Sequence, residues 1–246
     1  VEPKVKRLVI STQGPSTETN NQLRDGGVTS SFYIYPMYES LIGYDAFTGQ
    51  LVPQLAKSWS VEPDGKSLRF KLQEGVQFHN GNGEFTAKDV FQSHAIITAE
   101  DATHSHTRQY LQATVEVVND YEVLISLTVA NGEFLQIISE LNPSSLDMIS
   151  AADFDVLGAP ELVTRPLAGT GFYQFTERAT GQYMRLEQVP YEHWRVTPDF
   201  QEIEFRFQDE ASTRLAALLA EEVHLTNLSK DHLPAVIDAG MKVQAG

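Results

Sequence analysis

Residues 75–90, GVQFHNGNGEFTAKDV, contain the residue types of a catalytic motif: a histidine, an aspartate and a glycine-rich turn. A catalytic role for His79 and Asp89 would need a nucleophile or a set of metal ligands beside them. The stretch supplies neither. The sequence therefore favours an architectural role for these sixteen residues.

The same stretch has a structural interpretation at each position. Val76 and Phe78 are typical of the end of a strand, and the Asn-Gly pairs of 80–83 supply the left-handed backbone of a tight connection. Thr86, followed three residues later by Asp89, predicts a capping box at the start of a helix. His79 is then predicted at a strand end.

A second candidate lies in residues 100–110, EDATHSHTRQY, where two histidines stand beside Glu100 and Asp101. Histidine with acidic partners is a frequent metal-ligand set. A His-x-His pair presents both rings on one face only when it lies in a strand, however, and this segment is predicted as a loop around His104 and His106. Metal binding is therefore not the favoured interpretation.

Signatures of the common enzyme classes do not occur. PLAGTGFY, residues 166–173, lacks the Gly-x-Gly-x-x-Gly order of a dinucleotide site. The chain has no Gly-x-Ser-x-Gly elbow, His-Glu-x-x-His pair or P-loop, and without cysteine it has no thiolate nucleophile or disulfide. We therefore expect a protein that is not an enzyme, with no catalytic residue and no cofactor.

Composition limits the remaining classes. The 246 residues carry a formal net charge of −15 at pH 7 and a pI of about 4.8, so the chain repels phosphate backbones and binding to nucleic acid is not expected. No apolar run reaches the roughly 20 residues of a membrane span. The first residues, VEPKVKRLVIST, lack the apolar stretch of a signal peptide, which has been removed or was never present.

Hydrophobic patterns predict a mixture of strands and helices. Residues 30–45 have apolar and aromatic residues at helical spacing. Strands are predicted at 7–12, around a Pro-Asp-Gly turn within 48–78, in a hairpin at 115–129, and at 200–208 and 224–230. Residues 171–194 are predicted as two strands joined at 179–181, followed by an aromatic loop. Helices are predicted from Thr86, at 209–223 and at 232–240, and a further strand is predicted to begin at 241–246.

Several of these strings, in the same order, resemble the extracellular solute-binding proteins of peptide and nickel ABC transporters, family 5. Residues 37–90 resemble the N-terminal signature of the family, including PQLAKSW, FHNG and FTAKDV. AGTGFYQF (168–175) is similar to its Gly-Thr-Gly-Pro-Tyr segment, and FRFQDEASTRLAALLAEEVHLTNL to the strand and helix before its Gly-Glu-Val-Asp stretch. This chain departs from the family at Phe172, Glu222 and His224.

The resemblance implies a fold. It is the α/β, mixed α+β, periplasmic-binding-protein-like fold of type II, of which this chain supplies the first lobe. Residues 1–44 and 164–246 are expected to form a mixed-sheet domain and 45–163 an inserted α/β subdomain. Family members are about twice this length, so the second lobe is expected to be missing.

The resemblance also implies a function: capture of oligopeptides in a cleft between two lobes, outside the cytoplasm, and delivery to ABC permease subunits. We expect a monomer, associated with the membrane only through a lipid anchor or the permease. The residues expected at the ligand are Ser30, Ser31, Phe32, Tyr33, His104, His106, Arg108, Gly169, Thr170 and Gly171. For Phe32 and Tyr33 core packing is the competing explanation, and for the 104–108 segment a solvated loop.

Two other hypotheses stay open. The first keeps the family but changes the ligand to an oligosaccharide or to a nickel or haem-type solute. The second, more distant, is a metal-dependent hydrolase that would use His79, His104, His106 and Asp101.

Overall fold

A computed structural model of the chain describes residues 5–15, 23, 33–142, 145–158 and 165–244. In chain order its regular elements are β1 (Arg7–Thr12), β2 (Ile42–Asp45), β3 (Gln50–Pro53), β4 (Ala56–Val61), β5 (Ser67–Leu72), α1 (Ala87–Ile97), α2 (Thr107–Tyr110), β6 (Ala113–Asn119), β7 (Glu122–Leu127), α3 (Phe134–Ile137), α4 (Ala151–Leu157), β8 (Tyr173–Ala179), β9 (Tyr183–Gln188), β10 (Glu202–Phe207), α5 (Ala211–Leu219), β11 (Leu225–Thr226) and α6 (Leu233–Asp238). Short 3₁₀ turns cover Tyr35–Met37, His79–Gly81 and Lys230–His232.

The larger sheet has five strands in the order β11-β1-β10-β9-β8. β1 lies parallel to both β10 and β11, whereas β10, β9 and β8 pair in antiparallel fashion. Ile203, Phe205 and Phe207 of β10 are buried, as their alternation with polar residues predicts. On the opposite face, α5 packs Ala217 against Val9 of β1. This sheet confirms the predicted strands at both ends of the chain.

The second sheet has four antiparallel strands in the order β4-β5-β7-β6. The turn between β4 and β5 is the predicted Pro-Asp-Gly turn, in which the Asp64 carboxylate accepts the backbone N–H of Ser67 at 2.8 Å. Phe70 and Leu72 are fully buried and Lys71 is exposed, so the predicted alternation holds. A two-stranded ribbon, β2-β3, stands beside these sheets.

The capping box predicted for residues 75–90 is present at the start of α1. The Asp89 carboxylate accepts the backbone N–H of Thr86 at 2.7 Å. Asn80, Gly81 and Gly83 have φ values of 58°, 71° and 89°, the left-handed backbone that Asn-Gly pairs favour. Most of the predicted architecture of this stretch is therefore confirmed.

Three predictions of secondary structure are wrong. The helix predicted within 30–45 is wrong for its later part: Tyr33 and Ile34 are helical and a 3₁₀ turn follows, but Tyr38 to Leu41 form no helix, because Glu39 and Ser40 are buried as well and no single face is apolar. Val76 and Phe78 flank a lone bridge between Gln77 and Glu84 and do not end a strand. Residues 241–244 form no strand.

One hydrophobic core joins the two larger sheets, since Phe70 and Val123 belong to the same buried cluster as Met184 and Phe205. The boundaries between a first domain (1–44 and 164–246) and an inserted subdomain (45–163) stay a prediction. Within the described ranges, no helix combines the length and the apolar character that crossing a membrane requires.

Candidate functional site

The topology of the larger sheet defines the first candidate site. Because β1, β10 and β11 are parallel, their carboxyl ends lie at one edge of the sheet. In open α/β sheets, ligands bind in the crevice outside these ends. We call this region the carboxyl edge and define it by residues 12–14, 207–209 and 226–229.

Hydrogen bonds hold the loops of the carboxyl edge together. The Ser11 hydroxyl donates to Oε1 of Gln208 at 2.7 Å, and the backbone N–H of Gly14 donates to Oδ1 of Asp209 at 3.0 Å. The backbone N–H of Gln208 continues the parallel ladder to the carbonyl of Thr12 at 2.8 Å. These residues carry no local signal in the sequence, because which loops meet at one edge depends on the parallel pairing of distant strands.

Tyr33 lies beside the carboxyl edge. Its side chain is 1% exposed and packs edge-on against Phe205 and Phe207, with ring centroids 6.4 and 5.8 Å apart. Its ring therefore belongs to the core, which was the competing explanation for this residue. Three further residues that the sequence analysis placed at the ligand, Ser30, Ser31 and Phe32, lie outside the described residues.

The chain crosses the 36–38 segment at three buried residues, Gly169, Thr170 and Gly171. We call this place the crossing. A Cβ atom on Gly169 would lie 2.1 Å from the carbonyl oxygen of Met37, and one on Gly171 would lie 2.3 Å from that of Pro36. The two glycines are therefore required by a close approach of two backbones, a role that the sequence analysis did not assign to them.

The crossing is joined to neighbouring segments by hydrogen bonds to its carbonyl groups. The backbone N–H of His79 donates to Gly169 at 2.9 Å, and the His79 ring donates from Nε2 to Gly171 at 2.8 Å. Nε2 of His193 donates to the carbonyl of Thr170 at 2.9 Å. Burial lowers the pKa of His79 to about 4. His79 therefore lies in this crossing and not at a strand end.

The carboxylate of Glu39, which directly follows the 36–38 segment, is buried beside the crossing. Glu39 has a side chain with no exposed surface and accepts hydrogen bonds from Trp194 Nε1, at 3.0 Å, and from Arg195 Nε. Burial alone would raise the pKa of Glu39, but hydrogen bonding to His193, the charge of Arg195 and the Trp194 hydrogen bond outweigh it and lower the pKa. Glu39 is therefore held ionised as a structural anchor.

The 100–110 segment differs from the predicted loop. Thr107–Tyr110 forms α2, and His104 is 5% exposed, with its ring 6.1 Å from that of Tyr110. The solvated-loop explanation is wrong for His104, because packing against an aromatic side chain removes it from water. Arg108 is exposed and His106 is half-buried. In the described ranges, no group of three His, Asp or Glu side chains is arranged to hold a metal ion.

The protonation equilibrium of the Asp147 carboxyl group is shifted towards its neutral form. Burial raises the pKa of its carboxyl group to about 7, the nearby charge of Glu140 adds to this, and hydrogen bonds from Ser145 and Ser40 oppose it. A carboxyl group whose pKa is raised by folding stabilises the fold below its unfolded pKa of about 3.8. That contribution is lost as the pH rises through 7.

Comparison with known proteins identifies the family. The model for bacterial extracellular solute-binding proteins, family 5 Middle, matches residues 50–245. The chain belongs to this family, as its motifs predict.

Individual relatives bear the names of several ligands. The dipeptide-binding protein of Escherichia coli (strain K12) is 26% identical over 241 residues, which are 89% of this chain and 44% of that protein. The nickel-binding periplasmic protein of the same organism is 27% identical over 202 residues, or 80% of this chain and 37% of that protein. The chain thus spans less than half the length of these relatives.

Solved structures have the same fold. The dipeptide-binding protein from Pseudoalteromonas sp. SM9913, in complex with Met-Leu, superposes with a TM-score of 0.85 and 22% identity over 94% of this chain and 49% of its own. The predicted fold class, a mixed α/β lobe of a type II periplasmic-binding-protein fold, is confirmed.

Proposed function

We propose that this chain forms one lobe of a two-lobed, extracytoplasmic binding protein of an ABC importer, which captures oligopeptides and delivers them to permease subunits. The observation that carries the proposal is family membership over residues 50–245. Relatives named for dipeptides, and a neighbour bound to Met-Leu, support peptides as the ligand. The protein would act by binding and would catalyse no reaction.

The carboxyl edge would form this lobe's wall of the cleft. Its loops follow parallel strands, where α/β folds bind ligands. The 30–33 segment ends at Tyr33 beside this edge, so Ser30, Ser31 and Phe32 remain proposed ligand contacts. A peptide would be held through its backbone, with water filling the space around varied side chains.

The other proposed contacts have different support. Arg108 is exposed and His106 is half-buried, so solvent reaches both side chains, and they remain proposed ligand contacts. His104, Gly169, Thr170 and Gly171 are buried, so we propose that they contribute by shaping the wall.

Closure of the two lobes would be a shift in the balance between open and closed states. A ligand that contacts both lobes stabilises the closed state over a pre-existing open one. One lobe alone offers half of those contacts. We therefore expect the isolated 246-residue chain to bind Met-Leu much more weakly than the two-lobed protein.

The second candidate function is the binding of a nickel complex, favoured by the nickel-binding relative at 27% identity. Isothermal titration of the two-lobed protein with Met-Leu, with an oligosaccharide and with nickel(II)-histidine distinguishes the candidates. The proposal predicts a Kd of about 1 µM or tighter, about −8 kcal/mol, for the peptide alone. Binding of nickel(II)-histidine or sugar with no heat from the peptide would refute it, and micromolar binding by the isolated chain would refute the two-lobed mechanism.

A further inference from the structure

Arg214 of α5 connects two loops of the carboxyl edge. Its Nη1 atom donates hydrogen bonds of 2.7 Å to the carbonyl oxygens of both Gln208 and Asp209, and its Nε atom donates at 3.2 Å to that of Asn227. Gln208 and Asp209 follow β10, whereas Asn227 follows β11. One side chain therefore binds the loops that leave two of the three parallel strands.

The third loop is connected through the same atoms. Gly14, after β1, donates its backbone N–H to the carboxylate of Asp209, whose carbonyl group accepts from Arg214. All three loops are thus linked to one guanidinium group, two directly and the third through Asp209. We propose that Arg214 is a positioning residue, which sets the loops of the carboxyl edge in the conformation that binds ligand. This inference rests on the proposed function of the edge.

The electrostatics of Arg214 argue against a role in packing alone. The residue is 5% exposed, yet none of the described carboxylates lies within salt-bridge distance of it. Burying a cation without a paired anion is unfavourable unless hydrogen bonds replace its hydration. An apolar residue would fill the buried face of α5 without this cost. What the guanidinium group adds is the alignment of three carbonyl groups.

The planar geometry of arginine matters for this alignment. Nε and Nη1 lie in one rigid plane, so the loops after β10 and β11 are fixed relative to each other. A lysine keeps the charge, but its single nitrogen on a flexible stem cannot donate in the two fixed directions of Nε and Nη1. Asn227 itself is exposed at the edge, so a shift of its backbone would change the surface that a ligand meets.

The test compares Arg214→Lys with Arg185→Lys in the two-lobed protein. Arg185 of β9 is the control, because it lies in the larger sheet and its Nε donates to Glu204 at 2.8 Å, outside the carboxyl edge. Three quantities are measured: the Kd for Met-Leu, the melting temperature, and the hydrogen exchange rates of the Gly14 and Gln208 amides. Both variants are expected to lose thermal stability.

Only Arg214→Lys is expected to weaken the binding of Met-Leu, by about tenfold, the equivalent of one charge-assisted hydrogen bond. It should also accelerate exchange of the Gly14 and Gln208 amides, whereas Arg185→Lys should leave both the Kd and these rates unchanged. An unchanged Kd in Arg214→Lys, with a fall in melting temperature like that of the control, would overturn the inference.

Failure of the proposed function would look different. If the unsubstituted protein does not bind Met-Leu, the peptide assignment is refuted, and the exchange rates still decide whether Arg214 positions the loops. Unchanged exchange at Gly14 and Gln208 in Arg214→Lys would then overturn the positioning role.

Discussion

Replacing Gly169 with alanine tests the crossing of the two backbones most severely. The new Cβ atom would lie 2.1 Å from the carbonyl oxygen of Met37, whereas Cβ contacts under 3.0 Å essentially never occur. The 166–171 segment or the 36–38 segment must therefore shift by roughly 1 Å, the difference between those two distances. This shift would strain the hydrogen bonds that the His79 backbone and ring donate to the crossing.

The magnitude follows from the separate contributions. Overpacking costs about 1–3 kcal/mol, and weakening two hydrogen bonds costs about 1 kcal/mol each. Alanine restricts the unfolded chain more than glycine does, which recovers about 0.4–1 kcal/mol. We therefore expect Gly169→Ala to lower the free energy of unfolding by roughly 2–5 kcal/mol.

Equilibrium unfolding in urea, followed by the fluorescence of Trp59 and Trp194, measures this loss. Gly132→Ala is the control, since its Cβ would meet no atom within 4 Å, and it should change the stability by less than about 0.5 kcal/mol. If Gly169→Ala is as stable as Gly132→Ala, the close approach is not a constraint and the account of the crossing is wrong.

Three further substitutions have expected outcomes in the same urea assay. Asp147→Asn should leave stability unchanged at pH 4 and raise it by about 1–2 kcal/mol at pH 8, because the ionised carboxylate no longer has to be buried. Equal effects at both pH values would contradict the raised pKa of Asp147. Asp89→Ala should lower the free energy of unfolding by about 2–3 kcal/mol, since the backbone N–H groups of Thr86 and Ala151 lose their acceptor. Lys88→Ala, at an exposed position, is the control. An equally small effect in both variants would refute the role of Asp89 as a cap. Glu39→Gln should cost about 2–4 kcal/mol by removing the anion that pairs with Arg195, and a neutral effect would show that the buried pair is dispensable.

Local signals predicted most of the elements. The turn at Asp64, the hairpin at 179–181 and the capping box at Asp89 each depend on residues within a few positions of one another, and all three are present. The helix predicted within 30–45 does not continue through residues 38–41, for a different reason. Spacing alone cannot distinguish one apolar face from a segment that is buried on all sides, as Glu39 and Ser40 are.

The candidate site depends on long-range pairing that no local pattern encodes. Gly14, Asp209 and Asn227 meet only because β1 pairs in parallel with β10 and β11, over separations of about 200 residues. Gly169 and Gly171 could be recognised as special in the sequence, but glycine serves close packing and ligand approach equally well. Only the position of the 36–38 backbone favours the first.

Native mass spectrometry of the gently purified two-lobed protein tests the central claim most directly. Capture of peptides with varied side chains predicts a ladder of adducts whose masses fragment as short peptides. A single adduct of one mass, or one the size of a metal complex, would contradict peptide capture while leaving the fold and the family unchanged.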